Sequence, residues 1–355
     1  MLRRRQWIAS VALAAAARPS HAETVYPEAE WSRREPAELG LNALALDRFR
    51  DACAGHGWVT RAGHAVYAWG ETSKPIDIAS ACKPWFGHFL FRALQDGRLK
   101  SLDEPVLKWE PRLATLNAAL GHKDRSITWR HLATQTSCYG VREAPGAAFD
   151  YNDFQIALFW DCLFLKLYGT TPDRVDDDVL RPLLTAPLQC QDPLSMISFG
   201  IGARQGRIRA SVRDLCRFGL LYMRGGRWKN QTLLRPELVQ TILTTPHPNS
   251  LPRAGMDPAE MLPGQRTLGS QKVPDNQTDH HGSYSFLWWT NGVDRTGKRH
   301  WEGLPGECYA CLGHGGKRGV LVWPSREIVA AWNDTQLNGR DSQSAALRHL
   351  IAAAG

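Results

Sequence analysis

The sequence IDIASACKPWFGHFLFRALQDGRLKSLDEPV, residues 76–106, decides the fold. A short apolar strand candidate leads into Ser80, and the apolar residues that follow Lys83 are typical of a buried helix ending at Gly97. Residues three apart on a helix share one face, so Lys83 can reach the Ser80 hydroxyl. Serine is a poor nucleophile unless a base removes its proton, and a lysine can do this if its surroundings lower its pKa from about 10.4 towards about 7–8.

A second candidate segment is Phe149-Asp150-Tyr151-Asn152-Asp153, which precedes an apolar helix. A tyrosine beside a lysine can share or relay a proton, and a nearby amide or carboxylate can hold the substrate or the lysine. Tyr151 can equally be an aromatic residue at a helix entry, with Asn152 or Asp153 as the cap.

The third segment is Gly313-His314-Gly315-Gly316-Lys317, between two strand candidates. Glycines let the backbone approach a ligand closely, and an N–H group there can help to bind an oxyanion. Taken alone, a tight hairpin turn is the simpler interpretation.

Taken together, these segments resemble the class C β-lactamase-like serine hydrolases, which include penicillin-binding-protein-like proteins and family VIII esterases. The resemblance runs in the same order along most of the chain. It is carried by residues 76–106, ITWRHLATQTSCYG (127–140), GAAFDYNDFQIALF (146–159), ASVRDLCRFGLLYMRGGRW (210–228) and CLGHGGKRGVLVWPSREIVAAW (311–332).

The resemblance implies that Ser80 forms an acyl-enzyme, that Lys83 is its general base and that Tyr151 assists proton transfer. His314, Gly315 and Gly316 stand where relatives carry Lys-Thr-Gly or His-x-Gly. The backbone N–H groups of Ser80 and Lys317 would then form the oxyanion hole.

Departures from the family pattern bear on the substrate. Asp153 stands where many relatives have Asn, unless Asn152 takes that part, and both are candidate substrate-binding residues. His314 replaces a lysine that binds the carboxylate of an antibiotic, and a largely neutral histidine attracts that group less. Cys138 replaces a glycine, and Cys82 lies within the nucleophile motif. These changes favour an esterase, amidase or D-amino-acid peptidase over an efficient β-lactamase.

The resemblance and the element pattern predict an α+β, β-lactamase/transpeptidase-like fold for residues 23–355. An antiparallel sheet flanked by helices would come from residues 40–111 and 263–355. A helical lobe would be inserted at residues 112–262, with the active site between the lobes. Residues 246–277, rich in Pro and Gly, are predicted to be a long surface loop.

The predicted helices and strands outside the opening segment follow from periodicity. The helix predictions are residues 42–54, 129–134, 154–168, 176–184, 212–223, 236–243 and 342–354, the last with Asp341 as its cap. The strand predictions are residues 64–69, 284–290, 308–312, 319–323 and 328–332.

Residues 1–22 have a basic start, an apolar run and a small-x-small end, which is the layout of a secretory signal peptide. Export to the periplasm or the cell exterior is therefore expected, and Arg4-Arg5 leaves the choice between general and twin-arginine export open. The net charge of the chain is +8, and four of the positively charged arginines lie in this leader. No basic run interleaved with aromatics follows and no later segment is long and apolar enough to span a membrane, so neither nucleic-acid binding nor a membrane span is expected.

The eight cysteines permit disulfides in an oxidising compartment, but buried free thiols account for them equally well. Cys308, Cys311 and His314, with His280 and His281, have the composition of a zinc site. Cys308 and Cys311 nevertheless lie on a predicted strand, where residues three apart face opposite sides. We therefore expect neither a metal nor an organic cofactor.

The sequence lacks the motifs of other enzyme classes. It contains no Gly-x-Ser-x-Gly, no His-Glu-x-x-His and no phosphate-binding glycine loop. The expected partner is a small-molecule ester, amide or peptide, and the sequence leaves the oligomeric state open. The alternative is a non-catalytic protein on the same fold that binds peptide or cell-wall fragments. Some of the 14 tryptophans, such as Trp288, Trp289 and Trp301, are candidates for an apolar cleft wall.

Overall fold

The computed structural model describes residues 24–199, 204–269 and 272–355, so the predicted signal peptide lies outside the described part. Within these ranges no helix combines the length and the apolar character needed to cross a bilayer. The helices are α1 Ala43–Cys53, α2 Lys83–Gln95, α3 Trp129–Ala133, α4 Asp153–Trp160, α5 Val212–Met223, α6 Pro236–Leu243 and α7 Gly339–Ala354. The strands are β1 His56–Arg61, β2 His64–Trp69, β3 Ile76–Asp77, β4 Ser195–Phe199, β5 Gln205–Ala210, β6 Arg227–Trp228, β7 Gln231–Thr232, β8 Trp289–Thr290, β9 Tyr309–Gly313, β10 Arg318–Trp323 and β11 Ile328–Asn333.

The main sheet joins the two ends of the chain. Its strand order is β2-β1-β11-β10-β9-β8, and the neighbouring strands pair antiparallel. Strands β3, β5 and β4 form a smaller sheet beside it, and β6 and β7 form a hairpin. The antiparallel sheet flanked by helices is the predicted fold class.

Alternation along the strands covers the sheet on both faces. On β10, Val320 and Val322 belong to the core cluster that also contains α2 and α5, whereas Leu321 and Trp323 belong to the cluster that contains α1 and α7. Helices α1 and α7 pack against each other over this second face. The predicted flanking of the sheet by the N-terminal helix and the last helix is therefore present.

Helix α5 packs on β1, β10 and β11, although it lies within residues 112–262, which are predicted to form the helical lobe. A Cβ atom on Gly219 would lie 2.6 Å from Val329 Cγ1 and 3.0 Å from Val320 Cγ2, so glycine permits this close approach. Helix α5 therefore packs with the sheet, whereas Ala259 and Leu262, at the end of the predicted lobe, donate hydrogen bonds to Gly140 and Tyr139 within that lobe. Sequence periodicity located this helix but could not show which surface it covers.

Several predicted elements differ in extent from those observed. The predicted helix at residues 154–168 is α4 followed by the π-helical segment Asp161–Leu167, and that at 176–184 is the π-helix Asp176–Thr185. Of the predicted strand at residues 284–290 only β8 forms. Helix α7 begins at Gly339 with Asn338 at the N-cap position, so Asp341 lies inside the first turn and is not the cap. Strands β1, β4 and β5 were not predicted.

Candidate active site

Ser80 lies in a 3₁₀ turn, Ala79–Cys82, between β3 and α2. The residue before it, Ala79, has a φ of +51°, a left-handed conformation that is strained for a residue with a Cβ atom. The Ala79 N–H donates a hydrogen bond of 2.9 Å to Asp77 Oδ1, which helps to keep the turn in place. The backbone thus presents Ser80 at the N-terminus of a buried helix.

Two arginines fix the carboxylate that holds this turn. Arg207 of β5 donates to both Asp77 oxygens, at 3.1 and 2.6 Å, and Arg318 of β10 donates to Oδ2 at 3.1 Å. Bidentate contacts of this kind fix orientation as well as charge. The sequence analysis missed Asp77 and Arg207, because Arg207 meets the nucleophile turn only through the pairing of β5 with β3.

Lys83 reaches Ser80 as the spacing predicts. Its Nζ lies 2.7 Å from Ser80 Oγ, and the lysine is only 3% exposed. The same Nζ donates to Asp153 Oδ1 at 2.8 Å and lies 4.7 Å from the centroid of the Tyr151 ring. Helix α4, which begins at Asp153, thus brings the tyrosine segment onto the nucleophile helix.

The ion pair determines the protonation of Lys83. Burial lowers the pKa of this amine, but the charge and hydrogen bond of Asp153, together with Tyr151 and Cys82, outweigh that effect and raise the pKa overall. For Asp153, burial raises the pKa, whereas Lys83 lowers it and leaves it below its usual value. The 2.8 Å ion pair with Asp153 therefore favours the charged form of Lys83, whereas the general base that the resemblance implies needs a free lone pair.

Tyr151 is 5% exposed, and burial raises the pKa of its phenol although the positive charge of Lys83 opposes the rise. Its backbone is held on both sides by the loop that the sequence analysis predicted to lie on the surface. The Tyr151 N–H donates to Asn276 Oδ1 at 3.1 Å, and the Gln277 N–H donates to the Tyr151 carbonyl at 3.0 Å. Gln277 also donates from Nε2 to Asp153 Oδ2 at 3.3 Å. Neither residue carried a sequence signal for this role.

Asn152 does not enter the cleft. Its Oδ1 accepts from the N–H groups of Phe154 and Gln155 at 3.0 and 2.9 Å, which caps α4, and its Nδ2 donates to Asp150. The residue is fully buried. The capping interpretation therefore describes Asn152, and Asp153 alone occupies the place beside Lys83.

The Gly-rich segment forms the turn between β9 and β10. The N–H of Lys317, which the resemblance implies as an oxyanion donor, donates to the His314 carbonyl at 3.3 Å within this turn. Gly315 and Gly316 have φ values of +67° and +99°, and their carbonyls accept from Gln343 and Trp332. These glycines serve the turn and its contact with α7.

The glycine next to the nucleophile is Gly313, at the end of β9. A Cβ atom there would lie 3.0 Å from the Ser80 nitrogen, 2.9 Å from the Ala81 nitrogen and 2.4 Å from the Ile78 carbonyl oxygen. Only glycine lets β9 pass this close to the turn. His314 follows it, exposed at the cleft, and burial together with the neighbouring Arg318, Lys317 and Arg207 lowers the pKa of its imidazole.

A cleft of about 710 Å³ opens over Ser80. Asp153 and Tyr151 line one side, His314 and the turn glycines another, and the start of α7 lies at one end. Trp289 lines the cleft and stacks on His300, with ring centroids 5.0 Å apart. Trp288 and Trp301 are fully buried and do not line it, so only one of the three tryptophans is a wall residue.

Solved structures with a similar arrangement include three that cover nearly the whole chain. They are a penicillin-binding protein from Bacillus halodurans (14% identity, TM-score 0.58, 86% of this chain and 99% of that chain), a β-lactamase from Mycobacterium bovis (16%, 0.57, 87% and 96%) and EstCE1, a hydrolase with promiscuous acyltransferase activity (12%, 0.56, 90% and 97%). The chain has the β-lactamase/transpeptidase-like fold. The sequence matches no family profile and none of the curated proteins compared with it.

On this β-lactamase-like fold the cysteines are not paired. All eight lie in the described ranges as free thiols. Cys308 and Cys311 belong to the core clusters on opposite faces of the sheet, as the strand argument predicted. The described residues contain no group of three or more His, Cys, Asp and Glu side chains placed to hold a metal.

Proposed function

We propose that this chain is a serine hydrolase that transfers an acyl group from an ester, amide or peptide to Ser80 and then to water. The observation that carries the proposal is the 2.7 Å contact between Ser80 Oγ and Lys83 Nζ at the floor of the cleft. A serine hydroxyl in contact with a lysine side chain that can exchange protons, just before a helix N-terminus and beside a buried tyrosine, is an arrangement suited to nucleophilic catalysis.

In the proposed reaction Ser80 attacks the carbonyl carbon, and its proton passes to the Lys83 side. The Ser80 N–H, in the turn before α2, is the proposed oxyanion donor. The N–H of Lys317 is not included, because it donates a hydrogen bond within its own turn. Tyr151 is placed to assist proton transfer to the leaving group, since it lines the cleft with Ser80 and its ring centroid lies 4.7 Å from Lys83 Nζ. No metal or organic cofactor is required.

Two features favour an esterase, amidase or D-amino-acid peptidase over an efficient β-lactamase. His314 is an imidazole whose pKa is lowered, so it carries little positive charge near pH 7 to attract an antibiotic's carboxylate. Asp153 places a negative charge beside Lys83. This charge repels the carboxylate of an antibiotic, whereas the uncharged amide of an asparagine would not. EstCE1, a hydrolase with promiscuous acyltransferase activity, has a similar fold, which is consistent with acyl transfer by this chain.

The test compares turnover of a p-nitrophenyl ester series with turnover of a chromogenic cephalosporin by residues 23–355. Ser80→Ala is the nucleophile variant, and Ser126→Ala, at an exposed serine, is its matched control. We expect ester cleavage with little cephalosporin turnover, and we expect the ester activity to be lost only in Ser80→Ala. Strong cephalosporin turnover would instead favour a β-lactamase.

The alternative is a binding protein without catalysis, and covalent labelling decides between the two. A fluorophosphonate should modify Ser80 in the wild-type protein and in Ser126→Ala but not in Ser80→Ala. A protein that is inactive on all substrates and is not labelled would support the binding alternative.

Export is part of the proposal and rests on residues 1–22. A fusion of this segment to a reporter that is active only outside the cytoplasm should give signal, and a fusion that starts at residue 23 should not. Replacing Arg4 and Arg5 by lysines distinguishes the routes, because only twin-arginine export should be lost. Equal reporter signal from both fusions would contradict a cleavable leader.

A further inference from the structure

The ion pair beside the nucleophile raises a chemical problem for the proposed function, on which this inference rests. Ser80 Oγ, Lys83 Nζ and Asp153 Oδ1 form a continuous line of contacts of 2.7 and 2.8 Å. An ammonium ion has no lone pair, so Lys83 cannot accept the Ser80 proton while it keeps all of its own. Some other group must receive a proton when Ser80 attacks.

Tyr151 does not supply this acceptor. A phenol accepts a proton only as phenolate, and burial together with the nearby Asp153 carboxylate raises the pKa of Tyr151. Its phenolate is therefore scarce at neutral pH. Asp153 is the ionised group in the line, and its Oδ1 already receives a hydrogen bond from Lys83.

We propose that Asp153 is the terminal proton acceptor of a relay that runs from Ser80 through Lys83. As the Ser80 Oγ lone pair forms a bond to the carbonyl carbon and the carbonyl π pair moves to oxygen, the Oγ proton moves to Lys83 Nζ. In the same step a different Nζ proton moves to Asp153 Oδ1. The products are a tetrahedral oxyanion, an unchanged Lys83 ammonium and a neutral Asp153 acid, so charge and protons balance.

The return path completes the cycle. When the oxyanion collapses and the bond to the leaving group breaks, the leaving atom takes a proton from Lys83 Nζ, which regains one from Asp153. Deacylation repeats the sequence with water in place of the Ser80 hydroxyl. In this scheme Asp153 acts through Lys83 and does not touch the substrate, which makes it a positioning and proton-accepting partner of the lysine.

The second oxygen of Asp153 is held apart from the relay. Gln277 Nε2 donates to Oδ2 at 3.3 Å, which leaves Oδ1 for Lys83. The charge of Arg207 also favours the ionised carboxylate. An asparagine at this position could accept from Lys83 but could not take a proton, so the aspartate adds a function that the amide cannot perform.

The titratable and charged groups around the pair are few. Tyr151 contacts Lys83, Arg207 faces Asp153, and Cys82 and Tyr284 lie close enough for electrostatic interaction. Burial raises the pKa of the Cys82 thiol to about 12 and that of Tyr284 well above its usual value, and an arginine stays charged. In the acid range the carboxylate is therefore the group of this cluster that titrates.

The experiment measures kcat/KM for a p-nitrophenyl ester from pH 4 to pH 10 in wild type and Asp153→Asn. For wild type we expect activity to persist down to about pH 5, because an ionised aspartate accepts the proton. In Asp153→Asn only neutral Lys83 can act as the base, so we expect a loss of about 100-fold or more at pH 6 and an acid limb at least about 2 pH units higher, with recovery at alkaline pH. Protonation of His314 affects both proteins alike and cannot produce this displacement.

Two further variants serve as controls. Asp103→Asn breaks an exposed ion pair with Arg130 and should leave the pH profile unchanged. Lys83→Arg keeps the positive charge beside Asp153, but a guanidinium does not pass a proton on, so we expect loss of activity at every pH without alkaline recovery.

An Asp153→Asn profile with the wild-type acid limb would overturn the relay, since a merely structural role lowers activity uniformly. Faster turnover in this variant at neutral pH would overturn it as well, because Asp153 would then be inhibitory. If the variant does not fold, a proton inventory on wild-type kcat/KM in H₂O/D₂O mixtures decides: a relay moves two protons and gives a curved plot, whereas a linear plot overturns it. Failure of the proposed function is a separate outcome, visible as wild type that neither turns over esters nor reacts with a fluorophosphonate.

Discussion

Two buried ion pairs in this molecule have the same charges but different surroundings. In the cleft, Lys83 and Asp153 are 2.8 Å apart and Lys83 also contacts the hydroxyl of Ser80. In the core, Arg217 and Asp214 of α5 are both fully buried with a closest approach of 3.5 Å. The first pair contacts the hydroxyl of Ser80 in the cleft, whereas the second lies wholly within the core.

The core pair is satisfied by backbone. Arg217 donates to the carbonyls of Leu188, Glu28 and Ala29 at 2.8–3.0 Å, and Asp214 accepts from the N–H groups of residues 191 and 192 at 2.9–3.1 Å. A guanidinium does not give up its proton at physiological pH, so this arrangement can only tie segments together. A lysine ammonium, in contrast, can pass a proton on. The type of cation and the groups that contact it therefore decide whether a buried ion pair serves structure or chemistry.

The largest expected effect separates the two pairs by activity. Lys83→Ala removes the group that contacts Ser80, so we expect kcat/KM for esters to fall by about 10³-fold or more while the circular dichroism spectrum stays native. The measurement is ester turnover together with the rate of fluorophosphonate labelling. Near-wild-type turnover in this variant would exclude the proposed mechanism.

The second prediction concerns stability. Arg217→Met leaves the Asp214 carboxylate buried without its cation and removes three backbone contacts, so we expect a loss of about 3–5 kcal/mol in the free energy of unfolding. Arg213→Met, on the same helix but partly exposed in its pair with Asp192, is the matched control and should lose about 1 kcal/mol. Urea denaturation measures both. Equal losses would mean that burial of the charge is not what matters.

A buried carboxyl without a cation sharpens the comparison. Burial raises the pKa of Asp150 to about 7 from 3.8, and its contact with Asn152 only partly opposes this. Because the folded state holds this proton more tightly than the unfolded chain, stability is lost as pH rises from about 4 to about 7. Asp150→Asn should therefore stabilise the protein by about 2 kcal/mol at pH 8 and by little at pH 4, as measured by thermal unfolding at both pH values.

If instead Asp150→Asn destabilises the protein equally at both pH values, the carboxyl is ionised in the fold and its hydrogen bond with Asn152 dominates. Asp192→Asn is the control for substitution of a buried carboxyl that does have a cation, Arg213. That variant should be destabilised at pH 8.

The smallest expected effect is on substrate preference. Trp289 lines the cleft, and its ring centroid lies 6.1 Å from that of Tyr151. Trp289→Ala should lower kcat/KM for long-chain or aromatic esters about 10-fold more than for the acetate ester, because apolar contact area is lost only for the larger groups. Equal cleavage of short and long esters by the wild-type protein would show that no apolar acyl subsite exists.

Local spacing predicted the reactive contact well. Residues three apart on a helix must share a face, so Ser80 and Lys83 had to meet, and five ordered segments made the fold recognisable although each segment alone was weak. Helices α5 and α6 were predicted with their observed bounds because their apolar periodicity is strong. Strands β1, β4 and β5 were not predicted because their sequences lack clear alternation, although β1 pairs with the adjacent β2 and β4 with the adjacent β5.

The sequence by itself therefore determined the contact between Ser80 and Lys83, on which the proposed function rests, and the class of fold, because these depend on spacing within one helix and on the order of motifs. Only the tertiary structure decided that Lys83 pairs with Asp153, that Gly313 borders Ser80, and that residues 276 and 277 hold Tyr151. The physical reason is that a protonation state or a backbone contact depends on the charges and atoms within a few ångströms. Those neighbours come from parts of the chain about 70 to 230 residues away, which only the completed fold brings together.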